Sequence, residues 1–257
     1  MAAGAPGAEF RVEPEFATGL ASEGITSVAR VLERSECVRD LPDRSNHVLR
    51  VGSLVVYVKR RKRASRSAEA LAIARAQEAG VPTATIVFEG VDRVNGAIVG
   101  TLDLAPARPL DDLLAEGLLS QRQRVAVTAS LAVAVAALHR ARLFPRDLYL
   151  NHVFVDAGDA LGRVTLIDLE RMTEPRWFTR RAMIRDLAAL RASIPGDAVS
   201  PYDRRRFLEA YLLARGLDPN ATVEPLARAV SRKAAAIRKH VPRTPVGDAA
   251  RPTAPRP

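Results

Sequence analysis

The sequence predicts an α+β fold in two lobes, a small β-rich N-lobe followed by a larger helical C-lobe. Three observations carry this. Short apolar runs separated by turn signals fill the stretch up to Leu102, whereas helical periodicities dominate from Pro109 onward. A chain of 257 residues is long enough for one large domain or for two lobes. The boundaries that follow are an irregular segment at 1–20, an N-lobe at 21–102, a helical C-lobe at 103–240 and a disordered Pro-rich tail at 241–257.

Gly24 to Cys37 suits either a short helix or an extended segment. Asn46 to Arg50 and Leu54 to Lys59 flank Gly52-Ser53, a two-residue turn signal, and together predict a β-hairpin. Arg60 to Arg66 reads as a basic loop. Ser67 to Ala79 predicts a helix with Leu71 and Ile73-Ala74 on its apolar side, stopped by Gly80 and Pro82. Thr83 to Phe88 and Ala97 to Leu102 predict strands around a turn at Asn95-Gly96. Leu102 to Arg108 is the connector. Then come a short helix at Leu110 to Ala115 and a long apolar one at Gln121 to Ala141. Two short strands, Val153 to Val155 and Val164 to Ile167, precede helices near 179–193, 201–215 and 221–240.

Composition narrows the function classes. The net charge is +10, carried almost wholly by arginine, and predicts attraction to anions. Specific nucleic-acid binding is not expected, because no zinc-finger spacing occurs and aromatics do not interleave with the basic runs. The lone Cys37 excludes an intramolecular disulfide and an all-cysteine metal site, which fits a reducing cytoplasm. Met1 to Glu9 lacks the basic start and apolar stretch of a secretion signal. The longest apolar run, Val125 to Leu138, falls short of the roughly 20 residues that span a bilayer.

Two aspartates stand out. Asp147 lies in Phe144-Pro145-Arg146-Asp147-Leu148-Tyr149-Leu150-Asn151-His152, before a short strand, and Asp168 closes Val164-Thr165-Leu166-Ile167. A carboxylate followed by a loop and a strand, with a second carboxylate at the end of the next strand, is how kinase-like folds unite a base and a metal ligand. Asp147 is placed to accept the proton of an attacking hydroxyl, and Asp168 to hold Mg²⁺. The rival readings are a turn cap or a pair with Arg146 for Asp147, and a salt bridge to Arg171 for Asp168. Lys59 ends the run Leu54 to Val58 in a chain poor in lysine. A compact ammonium there suits phosphate oxygens, with Glu69 as its carboxylate partner. The alternative is that Lys59 merely opens the basic loop. The connector, with Asp103, is where a nucleotide base would meet backbone groups. His152 stands where protein kinases place a metal-binding asparagine; metal binding, phosphate binding and loop ordering all remain open for it. Asp186 is either a buried brace of the catalytic loop or half of a surface pair with Arg185. No P-loop pattern and no Gly-x-Gly-x-x-Gly in the first hairpin is present.

The run Arg146-Asp147-Leu148-Tyr149-Leu150-Asn151-His152 resembles the catalytic loop of the bacterial lipopolysaccharide kinase (Kdo/heptose kinase) family, a group similar to protein kinases in fold. Leu166 to Arg171 resembles its metal-binding segment, and Arg185 to Leu190 and Asp203 to Tyr211 its later segments; the resemblance covers roughly residues 50–240. It implies a two-lobed protein-kinase-like fold and transfer of the ATP γ-phosphate to a sugar hydroxyl of the lipopolysaccharide inner core. Lys59 would hold ATP phosphates with Glu69, Asp147 would be the base, and Asp168 would hold Mg²⁺, with His152 beside it. The implied acceptor is an anionic glycolipid or sugar, and the implied place is the cytoplasmic face of the inner membrane, with peripheral association. Pro145 departs from the family, which usually has histidine before Arg-Asp. A pseudokinase or ATP-binding scaffold, and a kinase of a soluble small alcohol or of protein, are the alternatives. The oligomeric state is not set by the sequence.

Overall fold

The structure, a computed structural model, describes residues 9–240. The tail expected at 241–257 lies outside the described residues, as do residues 1–8. The described residues divide into two compact units: 9–67 with 86–102 and 239–240, and 68–85 with 103–238.

The first unit is a six-stranded antiparallel sheet with two helices. In chain order it holds β1 (Glu9–Val12), α1 (Pro14–Ser22), α2 (Val28–Arg34), β2 (Glu36–Asp40), β3 (Arg44–Val51) and β4 (Leu54–Arg61). From the second unit come α3 (Ala68–Glu78), and then again in the first β5 (Ile86–Asp92) and β6 (Gly96–Leu102). The sheet order is β1-β5-β6-β4-β3-β2. The hairpin forms as the turn signal demands, with Val51 opposite Leu54. Along β4 the residues alternate: Val56 and Val58 are buried, and Tyr57 is exposed on the other face with Lys59 following in the same phase. Val56 and Val58 join Leu20, Ile25, Val31, Leu49, Phe88 and Ile98 in this unit's core. Close packing leaves no room at Gly100 in β6, where a Cβ would stand 2.4 Å from the Phe88 ring.

Two expectations are corrected in this unit. Residues 9–20 are not irregular, because they supply β1 and most of α1. The partner of β1 is β5, with Glu9 opposite Val91, so the pairing is invisible to local patterns. The basic stretch from Arg60 begins as strand rather than loop: Arg60 pairs with Ile98 and Arg61 with Ala97. Its first two side chains are held, Arg60 Nε donating to the Asn95 carbonyl at 2.7 Å and Arg61 Nη1 meeting Asp43 Oδ2 at 2.7 Å.

The second unit is mostly helical. After α3 come β7 (Arg108–Pro109), α4 (Leu110–Ala115), α5 (Gln121–Arg140), β8 (Val153–Val155), β9 (Val164–Leu166), α6 (Thr179–Ala192), α7 (Pro201–Ala214) and α8 (Pro219–His240). Its small sheet runs β7-β8-β9, and Thr83 bridges in parallel to Leu166. Helix α5 begins at a capping box, Ser120 receiving the Gln123 amide while the Gln123 side chain accepts from Ser120 N. Ser200 caps α7 in the same way through the Asp203 amide at 3.1 Å. The core packs Val135 and Leu138 of α5 with Leu208, Tyr211 and Leu212 of α7, Val153 and Leu166 of the strands, and Val223, Leu226, Val230 and Ala234 of α8. Each such aliphatic side chain contributes roughly 1.5–3 kcal/mol when fully buried.

Here too the expectations need adjustment. The N-lobe boundary at 21–102 takes in residues 68–85, yet these group with the helical unit. Helix α3 turns Glu69, Ala70, Ala72, Ile73 and Ala76 inward, and Leu71, expected on the apolar side, is exposed. A helix this rich in alanine has no bulky stripe to announce its phase. Gly80 ends it as expected, in the left-handed conformation at φ +75°, with Val81 N bonding back to the Ala76 carbonyl at 3.0 Å.

Candidate active site

Asp147, His152, Asp168 and Glu69 come together inside the helical unit. The segment after α5 carries Asp147, and a single 3-10 turn, Leu150–His152, leads into β8. His152 ties the two aspartate loops together. Its Nδ1 is 2.8 Å from the Asp147 backbone oxygen, and its Nε2 is 3.5 Å from Asp168 Oδ2. A carbonyl only accepts, so Nδ1 carries the proton and Nε2 turns toward the carboxylate. The His152 carbonyl in turn accepts from Ile167 N at 3.0 Å, which locks the loop onto the end of β9. Loop ordering is therefore one role His152 fills.

Backbone conformation marks the same two points. Arg146, just before Asp147, has φ +71°, and Asp168 has φ +57°. Left-handed backbone costs a non-glycine residue roughly 1–2 kcal/mol, and such residues gather where a side chain has to be aimed. Asp147 is engaged by Arg171, whose Nη1 lies 3.2 Å from Oδ1 and 2.9 Å from Oδ2. The pairing proposed for Arg171 with Asp168, and for Asp147 with Arg146, is thus replaced by Arg171 with Asp147.

Asp168 has carboxylate company. Glu69, Asp168 and Glu170 each place an oxygen within 4.8 Å of the others. Glu69 is buried and accepts from Leu169 N at 3.3 Å through Oε1. Three carboxylates at this spacing form an all-oxygen donor set, the kind that a hard divalent cation prefers. Glu170 was not singled out by the sequence; its only signal was a second acid two positions beyond Asp168.

Lys59 stands in the sheet unit, within β4 between Asn46 and Val99, so it belongs to the strand and not to the following loop. Asp103, half-buried, follows β6 directly.

Asp186 is fully buried, which removes the surface-pair reading. Arg185 Nε donates to its Oδ1 at 3.0 Å, and its Oδ2 lies 3.6 Å from His139 Nε2. The His139 Nδ1 is 2.8 Å from the Tyr211 hydroxyl, which also accepts from Arg215 Nη1 at 2.9 Å. Burial holds His139 below the usual imidazole range, only partly offset by Asp186, and pushes the Tyr211 phenol up. A neutral His139 accepting from Tyr211 and facing Asp186 with its Nε2–H satisfies this geometry. The imidazole stacks on Phe144 with centroids 5.0 Å apart, and Phe144 exchanges both backbone hydrogen bonds with Thr173 at 2.9 Å. Asp186 thus meets the Asp147 loop by way of His139 and Phe144, beside the buried Pro145.

The comparisons with known proteins bear on the family and the fold. The profile of the lipopolysaccharide kinase (Kdo/WaaP) family matches residues 49–211. The chain belongs to this family. The matched span takes in Lys59, Glu69, Asp147, His152, Asp168 and Glu170. Among curated proteins, the lipopolysaccharide core heptose(I) kinase WaaP of Pseudomonas aeruginosa is 30% identical over 151 residues, 54% of this chain and 56% of that protein. The match therefore spans about half the length of that Kdo/WaaP relative. Among solved structures, WaaP in complex with acyl carrier protein superposes with a TM-score of 0.69 at 26% identity, covering 89% of this chain and 99% of that one. The fold of the family, a β-sheet N-terminal region followed by a helical part, is the fold seen in this chain.

Proposed function

We propose that this protein is an ATP- and Mg²⁺-dependent phosphotransferase whose acceptor is a sugar hydroxyl, heptose or Kdo, of the lipopolysaccharide inner core. The observation that carries this reading is His152, one imidazole touching both the Asp147 loop and Asp168, with two further carboxylates alongside. Membership of the Kdo/WaaP family supplies the reaction class.

In this reading Asp147 orients the acceptor hydroxyl and takes its proton as the oxygen attacks. Arg171 holds that carboxylate in place beforehand. Asp168, with Glu69 and Glu170, would hold Mg²⁺, and His152 Nε2 faces the same carboxylate. The ion, when bound, neutralises charge on the phosphate oxygens. Lys59 is assigned the phosphates and Asp103 the nucleotide side, both on the family likeness. Little covalent chemistry is asked of the protein, so positioning and charge carry most of the rate.

The deciding experiment is transfer of labelled phosphate from ATP to a panel of core sugars, lipid-linked sugars, proteins and small alcohols. Transfer to an inner-core sugar alone supports the reading. Transfer only to a soluble alcohol or a protein replaces the acceptor, and ATP binding without any transfer makes the protein a scaffold.

The acyl carrier protein bound to the similar WaaP structure suggests a partner. Within the helical unit an apolar cavity is lined by Leu114, Leu131, Leu190 and Phe207, together with Arg124, Arg191 and Arg204. Burial and the neighbouring Arg204 and Arg238 disfavour the charge on Arg191, which an approaching anion would relieve. A carrier protein that presents an anionic group would suit those three arginines, which share the lining with Asp203, and co-purification with an acyl carrier protein tests it. Among the described residues no helix is long and apolar enough to cross a membrane. In this reading the lipid-borne acceptor is met at the membrane surface.

A further inference from the structure

The chain's only tryptophan is spent on the surface. Trp177 is 77% exposed and the adjacent Phe178 is 82% exposed. Two neighbouring aromatics facing water are unusual in a chain with 5% aromatic content, and their position is held by the fold. Arg142 Nη2 donates to the carbonyls of Pro175 and Arg176 at 2.9 and 2.8 Å, pinning the base of the loop. Phe178 adopts φ +60° at the start of α6, and its carbonyl accepts from Arg181 N and Ala182 N. The pair is therefore presented by a fixed turn.

Its surroundings are basic. Arg176, Arg180 and Arg181 flank it in sequence and are exposed. Arg180 also lines an open groove with Arg228, Arg232 and Lys233 of α8. The nearest acid in sequence, Glu174, is already engaged by Arg75 at 2.9 Å. Tryptophan and phenylalanine beside arginines match the chemistry of a bilayer interface, where rings enter the headgroup region and guanidiniums meet lipid phosphates.

We propose that the Arg176–Arg181 turn and the adjoining basic groove of α8 form a docking face for an anionic lipid bilayer, with Trp177 and Phe178 as its inserted tip. The choice of a bilayer over another polyanion rests on the lipid-borne acceptor proposed above. Docking itself requires no phosphate transfer, and it is measured without ATP.

Trp177 makes the test specific, because its emission reports on this loop alone. The full-length protein is titrated with vesicles of phosphatidylethanolamine and phosphatidylglycerol, with phosphatidylcholine vesicles, and with a single-stranded oligonucleotide. Docking predicts a blue shift and quenching by brominated acyl chains on anionic vesicles. It also predicts at least about tenfold weaker partitioning to phosphatidylcholine, with loss of binding at high salt. The Trp177→Ala/Phe178→Ala double variant should lose sedimentation with anionic vesicles while its thermal unfolding is unchanged. Arg180→Glu/Arg232→Glu, which keeps the tryptophan, should weaken vesicle binding and abolish the blue shift. Vesicle binding without bromolipid quenching overturns the proposal, as does full binding by the double variant. A larger emission change with the oligonucleotide than with anionic vesicles would make this a single-strand-binding face instead. Docking with no transfer to any sugar would leave this face standing and refute the phosphotransferase reading alone.

Discussion

His139 Nε2 lies 3.6 Å from Asp186 Oδ2, and neither side chain has any exposed surface. The imidazole is neutral there, because burial outweighs the attraction of the carboxylate and holds its proton affinity below the ordinary value. His47, between Ser35 and Ser45 in the sheet unit, is depressed by burial and then by Arg60. Both histidines take up a proton in the unfolded chain near pH 6.5 but resist it when folded. Their contribution to stability is thus complete above about pH 6.5 and declines as the pH falls below it. Urea unfolding at pH 8 and at pH 5.5 should show a loss on the order of 1 kcal/mol attributable to His139. The loss should shrink in His139→Gln; an unchanged pH slope in that variant would show that folding does not lower the proton affinity of His139.

Asp147→Asn keeps the shape of the side chain and removes its basicity. We expect phosphate transfer to fall by about a hundredfold or more while binding of an ATP analogue changes little. Arg171→Ala removes the guanidinium from Asp147, and because Arg171 is 60% exposed its loss should cost under about 1 kcal/mol of stability. Equal stability with reduced turnover would mark Arg171 as positioning the carboxylate.

The carboxylate cluster gives a separate prediction. Asp168→Asn and Glu170→Gln each remove one negative charge and leave a single neutral amide oxygen in the set that includes Glu69. The Mg²⁺ concentration for half-maximal transfer should rise by about tenfold in each. An unchanged Mg²⁺ dependence in Glu170→Gln would exclude that residue from the cation site.

Gly100→Ala should destabilise the sheet unit by roughly 1–3 kcal/mol, since the added methyl group meets the Phe88 ring at 2.4 Å. Phe88→Leu in the same background opens space at that ring and should recover part of the loss. Thermal melts of the two variants decide it.

Much of this architecture could be read locally, and the exceptions share a cause. The hairpin around Gly52-Ser53 and the helix at Leu110–Ala115 are written in adjacent residues, by a turn signal and by an apolar pattern. The spacing from Asp147 through the Val153–Val155 strand to Asp168 was legible for the same reason. By contrast, β1 exists because Glu9 to Val12 find partners in β5, far along the chain. The inward turn of Glu69 toward Leu169 N depends on a contact a hundred residues away. Glu170 joins a cluster beside a left-handed residue, Asp168, a backbone state that no periodicity announces. His139 lies inside an apolar helix, and its role emerges only once Tyr211, Asp186 and Phe144 surround it.

The interleaving of residues 68–85 with the rest has a practical consequence for dissecting the molecule. A cut after Leu102 looks like the seam between halves, but a fragment starting at Asp103 would be missing Ala72, Ala76 and Val81 from its own interior as well as Glu69 from the carboxylate cluster. Such a piece should behave as a loosened, aggregation-prone globule incapable of tight cation binding. A circularly permuted or linker-joined version that restores 68–85 is the minimal form in which the helical half could be studied alone.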